Sequence, residues 1–249
     1  MINPLLDPNA RIVIAHRGNR AQKPENTIEA FLSAIELGAD AVEFDVRMSR
    51  DGVPVVMHDP TLDRTTSGHG KVANYSLADL RTVDAGARSS HGGRARIPTL
   101  EEALDAVRNT SLIIEVKERG ATDATMQLVE RFGAKERVLI GSSDNAVVAR
   151  FRELGYRVCA SMADALRLMP VALFGLRAGT PSYHVLSITP NYNGIPIPVL
   201  RMAAAAHRMA TPTQVWTVND PTIAQRMWAG GVAGIVTDDP AAILRVRAK

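Results

Sequence analysis

The sequence predicts an α/β fold, a (β/α)8 TIM barrel with a small insertion after the second strand. Three observations carry this expectation. Short Val- and Ile-rich runs alternate with longer helix-like segments eight times. The runs are apolar throughout, as strands of a parallel sheet buried on both faces must be. The 249 residues also match the size of one such barrel. A doubly wound open sheet is the alternative arrangement of the same units. The chain 1–249 reads as a single barrel domain, with the insertion at 59–98.

The strand candidates are, in order, Arg11–His16, Ala39–Arg47, Ser111–Lys117, Arg137–Ser142, Arg157–Ser161, Tyr183–Ile188, Gln214–Val218 and Gly234–Thr237. The helical segments that alternate with them are Glu25–Leu37, Thr99–Arg108, Thr122–Phe132, Asp144–Leu154, Asp164–Leu168, Pro198–Met209, Pro221–Ala229 and Pro240–Val246. Asp144 and Asp164 read as N-caps, and Pro221 and Pro240 follow Asp220 and Asp239 near first-turn positions. The sixth unit is the weakest, because Pro181, Pro190, Pro196 and Pro198 crowd around it. The rhythm breaks from Asp59 to Pro98, a stretch rich in Gly, Thr, Ser and Asp with one short helical candidate near Leu77–Thr82. It follows a strand-like run, Val53–His58. A stretch this long without a full unit has a functional role or is disordered.

Hydrophobic residues make up 46% and charged residues 22%, a globular balance with enough apolar side chains for a large core. The net charge of +3 is spread without a basic run and aromatics are only 4%, which argues against a nucleic-acid partner. The single cysteine, Cys159, excludes an intrachain disulfide and reads as a core thiol in a reducing compartment. No leader-like N-terminus or long apolar run is present, so the expectation is a cytoplasmic protein without stable membrane insertion. Nothing in the sequence sets an oligomeric state.

Glu43 and Asp45 stand two apart within the apolar run Ala41–Val46. Strand side chains alternate, so both carboxylates share a face, the barrel interior if Val42, Phe44 and Val46 face the helices. Adjacent buried carboxylates repel and lose hydration, and a hard divalent cation offsets both penalties. Ion pairing with Arg47 or Arg50 is the other reading. Glu115 and Lys117 repeat the spacing in the next run: Glu115 suits the same metal site, and Lys117 a phosphate or a carboxylate.

His16 and His58 end strand-like runs and are placed to reach the C-terminal mouth, where barrel enzymes assemble their sites. Two imidazoles can serve attack and departure in one phosphoryl transfer. Arg17 offers a forked donor for phosphate oxygens, and Gly18 permits close backbone approach. Trp216 packs either against a substrate or as part of the barrel end. His69, His91, His184 and His207 have no comparable setting. No phosphate-cradling lysine loop, dinucleotide fingerprint, paired CxxC framework or nucleophile elbow is present.

The ordered set His16-Arg17-Gly18, Pro24-Glu25-Asn26-Thr27, Glu43-Phe44-Asp45-Val46, His58-Asp59 and Glu115-Val116-Lys117 resembles the glycerophosphodiester phosphodiesterase family. So do Leu62-Asp63-Arg64-Thr65-Thr66, Ile97-Pro98-Thr99-Leu100, Trp216-Thr217-Val218-Asn219 and Gly234-Ile235-Val236-Thr237-Asp238, so the resemblance spans nearly the whole chain. Length and the missing leader look more like its short cytoplasmic branch. The resemblance implies a barrel with a small insertion and one divalent metal, calcium or magnesium, held by Glu43, Asp45 and Glu115. It further implies His16 and His58 as the acid/base pair, with Arg17 and Lys117 on phosphate. The implied reaction converts a small-molecule glycerophosphodiester to glycerol 3-phosphate and an alcohol. Cleavage of a lysolipid phosphodiester and noncatalytic phosphodiester binding are the alternatives. Two departures stand out. Ala233 replaces an acidic residue of many relatives, which implies loss of a supporting contact near the C-terminus. The segment Asp84–Arg88 lacks the aromatics that often follow it.

Overall fold

The computed structural model describes residues 3–91, 93–177 and 179–247. Its central sheet runs β1 (Ile12–His16), β2 (Ala41–Met48), β4 (Ser111–Val116), β5 (Val138–Gly141), β6 (Leu186–Ile188), β9 (Thr213–Val215) and β10 (Gly234–Thr237), with β10 returning to β1. Each of these neighbours is parallel except across the gap between β5 and β6. The segment 157–160 fills that gap. Ile140 pairs with Val158 and Cys159 with Val185, both parallel, with backbone bonds of 2.8 Å from Cys159 to Ile140 and from Ala160 to Val185. The ring therefore closes into a barrel, and the open-sheet alternative falls.

Alternation along the strands sorts side chains between two layers. Val42, Phe44, Val46, Ile114 and Val116 face the helical shell, while Ile12, Ile14, Ala41, Ile113, Leu139, Val185 and Val236 fill the bore. Leu5, on a 3-10 turn at Pro4–Leu6, joins the bore cluster at its lower end. Burial of each such aliphatic side chain contributes roughly 1.5–3 kcal/mol.

The shell consists of α1 (Ile28–Glu36), α3 (Leu100–Ala106), α4 (Thr122–Arg131), α5 (Asn145–Glu153), α6 (Met162–Phe174), α7 (Val199–His207), α8 (Pro221–Ala229) and α9 (Pro240–Arg247). Thr27 caps α1, and Thr99 with Glu102 forms a capping box on α3. Asp144 caps α5 as expected, and Asp220 caps α8 with Pro221 in its first turn. Asp239 accepts from the Ala242 amide at 3.0 Å.

Four expectations change in the second half. Asp164 is not the cap of α6: Ser161 is, with Asp164 three residues on in a capping box. The helix runs beyond Leu168 to Phe174, through Pro170. Pro170 lies on the exposed side, where the carbonyl it leaves unpaired can reach water. The fifth strand is reduced to its two bridging residues, and the sixth to three, followed by a hairpin of β7 (Asn191–Tyr192) and β8 (Ile195–Pro196).

The insertion also departs from a simple extension of the barrel. After β2 the chain reverses and returns as β3 (Pro54–Val56), antiparallel to β2. Residues beyond β3 carry a short helix, α2 (Leu77–Leu80). With Val55 of β3 they build a small core of Met57, Leu62, Leu80, Val83 and Ile97 at the barrel's edge.

Candidate active site

Strand register assembles the site. His16 lies opposite Glu43, and Asp45 opposite Glu115. Neighbouring strands are about 4.8 Å apart, so inward-facing side chains at the mouth meet. One carboxylate oxygen from each of Glu43, Asp45 and Glu115 lies within 4.8 Å of the others. Glu43 and Asp45 are buried.

Charge separates these carboxylates. Burial, with Asp45 and Glu115 close by, pushes Glu43 well above the usual carboxylate range. Burial pushes Asp45 the same way, but Lys117, Arg17 and His58 outweigh it and hold Asp45 below its ordinary value. Lys117 Nζ lies 2.8 Å from both Asp45 Oδ1 and Glu115 Oε1. Burial would lower the Lys117 pKa, yet these two partners raise it. Arg47 and Arg50 take no part: Arg47 pairs with Glu118 and Arg50 with Asp79. The donor set fits a hard divalent cation, because among the described residues Glu43 has no cationic side chain in hydrogen-bond contact and only the Arg17 amide donates to it, at 3.0 Å.

Each histidine carries a carboxylate on Nδ1. His16 Nδ1 is 2.7 Å from Asp238 Oδ1, and His58 Nδ1 is 2.6 Å from Asp59 Oδ1. His16 Nε2 points toward Glu43, 4.0 Å away. His58 does not sit atop an ascending barrel strand. The antiparallel β3 brings it back down, and the Met57 amide bonds the Asp45 carbonyl at 3.0 Å. Burial, with Lys117 and Arg17 nearby, outweighs the carboxylates and lowers the His58 pKa, favouring the neutral base. Burial acts against Asp238, but hydrogen bonds from His16 and Asn219 keep it below the usual carboxylate range.

Glu25 joins the two histidines. It meets Arg17 Nη1 at 2.8 Å, Arg64 Nη2 at 2.7 Å and Arg20 Nη2 at 3.4 Å. Arg64 also bonds Asp59 at 2.6 Å, and Arg20 reaches Asp238 at 3.4 Å. A chain of alternating charges thus runs His16–Asp238–Arg20–Glu25–Arg64–Asp59–His58. Burial raises the Glu25 pKa, but the arginines dominate and hold it at about 2. Arg17 turns one guanidinium edge to Glu25 and places Nε 3.4 Å from Asp45. Asn26 Nδ2 donates to Asp45 Oδ2 at 2.9 Å from a left-handed backbone with φ 58°.

All of the expected polar residues except Trp216 thus converge on one cluster. Trp216 stands at the mouth end of β9, 41% exposed, with its amide bonded to the Ile188 carbonyl. Gly18 serves packing: its φ is 81°, and a Cβ there would lie 2.6 Å from the Ala30 carbonyl carbon on α1. Ala233 is bonded to Ile12 and Thr213 at the lower end of the barrel, so an acidic residue there would lie at the pole opposite the mouth. His69, His91 and His207 are exposed, and His184 Nδ1 accepts from the Val158 amide. Glu25, Arg64 and Asp238 stand inside segments that resemble the family but carry no expected role of their own, Asp59 adjoins His58, and Arg20 has no signal in the sequence.

Residues 16–242 match the glycerophosphoryl diester phosphodiesterase family. A glycerophosphodiester phosphodiesterase of Caldanaerobacter subterraneus subsp. tengcongensis is 31% identical over 243 residues, covering 94% of this chain and 97% of that protein. Among solved structures, a glycerophosphodiester phosphodiesterase from Agrobacterium tumefaciens aligns with TM-score 0.77 and 26% identity, over 94% of this chain and 99% of its own. A phosphodiesterase from Oleispira antarctica, in complex with the product sn-glycerol-3-phosphate, aligns with TM-score 0.78 and 26% identity, over 96% and 97% of the two chains.

Proposed function

The chain belongs to the glycerophosphoryl diester phosphodiesterase family of hydrolases, and we propose that it converts glycerophosphodiesters to glycerol 3-phosphate and an alcohol with His16 and His58 as acid and base. The observation that carries this reading is the pair of histidines, each held at Nδ1 by a carboxylate beside the Glu43–Asp45–Glu115 cluster. Anchoring Nδ1 fixes the tautomer and leaves Nε2 for the substrate. The product bound to the Oleispira antarctica relative is the one this reaction releases.

In the first step the glycerol hydroxyl next to the ester attacks phosphorus. One histidine takes the hydroxyl proton as the new O–P bond forms. The other gives its proton to the departing alkoxide as the old bond breaks. Water then opens the cyclic phosphate with the two roles exchanged, which restores both protonation states. Arg17 and Lys117 supply positive charge to the phosphoryl oxygens. A calcium or magnesium ion held by Glu43, Asp45 and Glu115 supplies, when bound, a lowered proton affinity at the glycerol hydroxyl. Trp216 contributes an apolar wall at the rim.

The test is release of glycerol 3-phosphate from glycerophosphocholine and glycerophosphoethanolamine, with chelator and with calcium, magnesium or manganese restored. Metal-dependent release is expected. If no glycerol 3-phosphate forms under any metal condition, the proposal fails, and micellar lysolipid becomes the substrate to try.

A further inference from the structure

We propose that the outer face of α6 and α7 is a docking surface for an anionic lipid bilayer. α6 turns Leu168 toward the barrel but leaves Met162, Leu166, Leu173 and Phe174 exposed, with Leu176 exposed just beyond its end. Phe174 is 76% and Leu166 61% accessible. Helix periodicity places Met162, Leu166 and Leu173 along one stripe, and Phe174 extends the exposed face from about 100° further round at the helix end. Clustered exposure of this kind marks a contact surface. α7 packs beside α6, so the two outer faces form one flank.

The charge on this flank selects the occupant. The chain has 26 Asp and Glu residues, yet none between positions 165 and 219, where Arg167, Arg177, Arg201 and Arg208 all lie. All four arginines are exposed. The one carboxylate of α6, Asp164, is buried, bonded to Ser161 and paired with Arg152 and, at 3.6 Å, with Arg167, whereas Arg177, Arg201 and Arg208 pair with no carboxylate among the described residues. Other helices carry both signs, as in the Arg131–Glu101 and Arg150–Glu153 pairs. Two-fold self-association would set these arginines against their own copies with no carboxylate in the segment to neutralise them. An anionic bilayer supplies both an apolar layer and the counter-charge. Arginine stems lie along apolar surface while their heads reach phosphate.

Contact would be peripheral, since no helix among the described residues is long and apolar enough to cross a membrane. Helices that follow parallel strands run back from the mouth, so α6 and α7 both begin there. The β7–β8 hairpin between β6 and α7 exposes Tyr192 and Ile195 at the same end. The flank therefore leads up to the rim of the active site.

The test is co-sedimentation of the purified chain with vesicles of phosphatidylglycerol and phosphatidylcholine, against vesicles of phosphatidylcholine alone, at low salt. Binding to the mixed vesicles alone, released by added salt, is expected. Arg177→Ala with Arg201→Ala should weaken partitioning about 25-fold, five-fold per arginine. Phe174→Ser should weaken it about ten-fold. Both variants should turn over soluble glycerophosphodiester at the parent rate, since neither site touches the mouth cluster. Three results would each overturn the proposal: no binding to the mixed vesicles, equal binding to phosphatidylcholine alone, or binding that the variants leave unchanged. A stable dimer by light scattering that Phe174→Ser dissociates would also overturn it, assigning the face to a second copy.

Discussion

On one side of the barrel, β2 and β4 pair through six consecutive residues, and β1 adds three more pairs with β2. On the other side, the segment 157–160 touches each neighbour through one bridge, and β6 pairs with β9 over three residues. The long ladders carry Glu43, Asp45 and Glu115, whereas the short ones carry aliphatic side chains and Cys159 in the bore. The difference has a physical reason. Close carboxylates repel unless their positions are fixed and cations are placed among them, whereas aliphatic packing tolerates an irregular backbone. Chemistry in this barrel is concentrated where register is most constrained.

If that contrast holds, changes on the long-ladder side should abolish activity and changes in the aliphatic and aromatic packing of the other should affect stability alone. The largest effect is expected for His16→Ala or His58→Ala, with kcat falling about a thousand-fold while the circular dichroism spectrum is preserved. Parent-level turnover in either variant would refute the acid/base assignment. Next, Glu43→Ala and Asp45→Ala should each weaken divalent-metal affinity about a hundred-fold by calorimetry, with activity falling in step. Full affinity in both would place the metal elsewhere.

Glu25→Gln sharpens the contrast, because it loosens both histidines without touching either. A drop in kcat of about ten-fold is expected, larger than any change in KM. Stability carries a pH signature as well. The folded-state pKa of Glu25 is about 2 against an ordinary 4.5, so its contribution is complete above pH 4.5 and is lost as pH falls toward 2. The stability gap between parent and Glu25→Gln in urea titrations should be on the order of 3 kcal/mol near neutrality and shrink below pH 4.5. A gap independent of pH would show that the carboxylate charge has no such part.

The smallest effect belongs to the opposite side. Tyr156, buried against Phe151, donates to Glu130 Oε1 at 2.9 Å. Tyr156→Phe should cost about 1 kcal/mol in urea denaturation and leave turnover unchanged. A kinetic defect there would break the division between the two sides.

Legibility in the sequence follows the same division. Strands such as Ser111–Val116 and Gly234–Thr237 announce themselves as apolar runs, and a charge inside one, such as Asp45 or Glu115, is visible because it is out of place. The fifth stave was legible as an apolar run but not in its brevity, since pairing length depends on partners distant in sequence. Loop residues are harder. Arg64 and Glu25 are 39 positions apart, and nothing local distinguishes their ion pair from a solvated charge. The return of His58 on an antiparallel strand was also hidden, because an isolated short run does not state its direction.

The hydrogen bond between His16 and Asp238 joins residues 222 positions apart, from the first strand and the turn after the last. The three carboxylates of the cluster all lie within residues 43–115. During folding, the segment that gathers those acids can form early, through contacts of modest sequence separation, whereas the first histidine is oriented only when the ends of the ring meet. Cation binding would thus report that half of the molecule is in place, and turnover that the circle is complete.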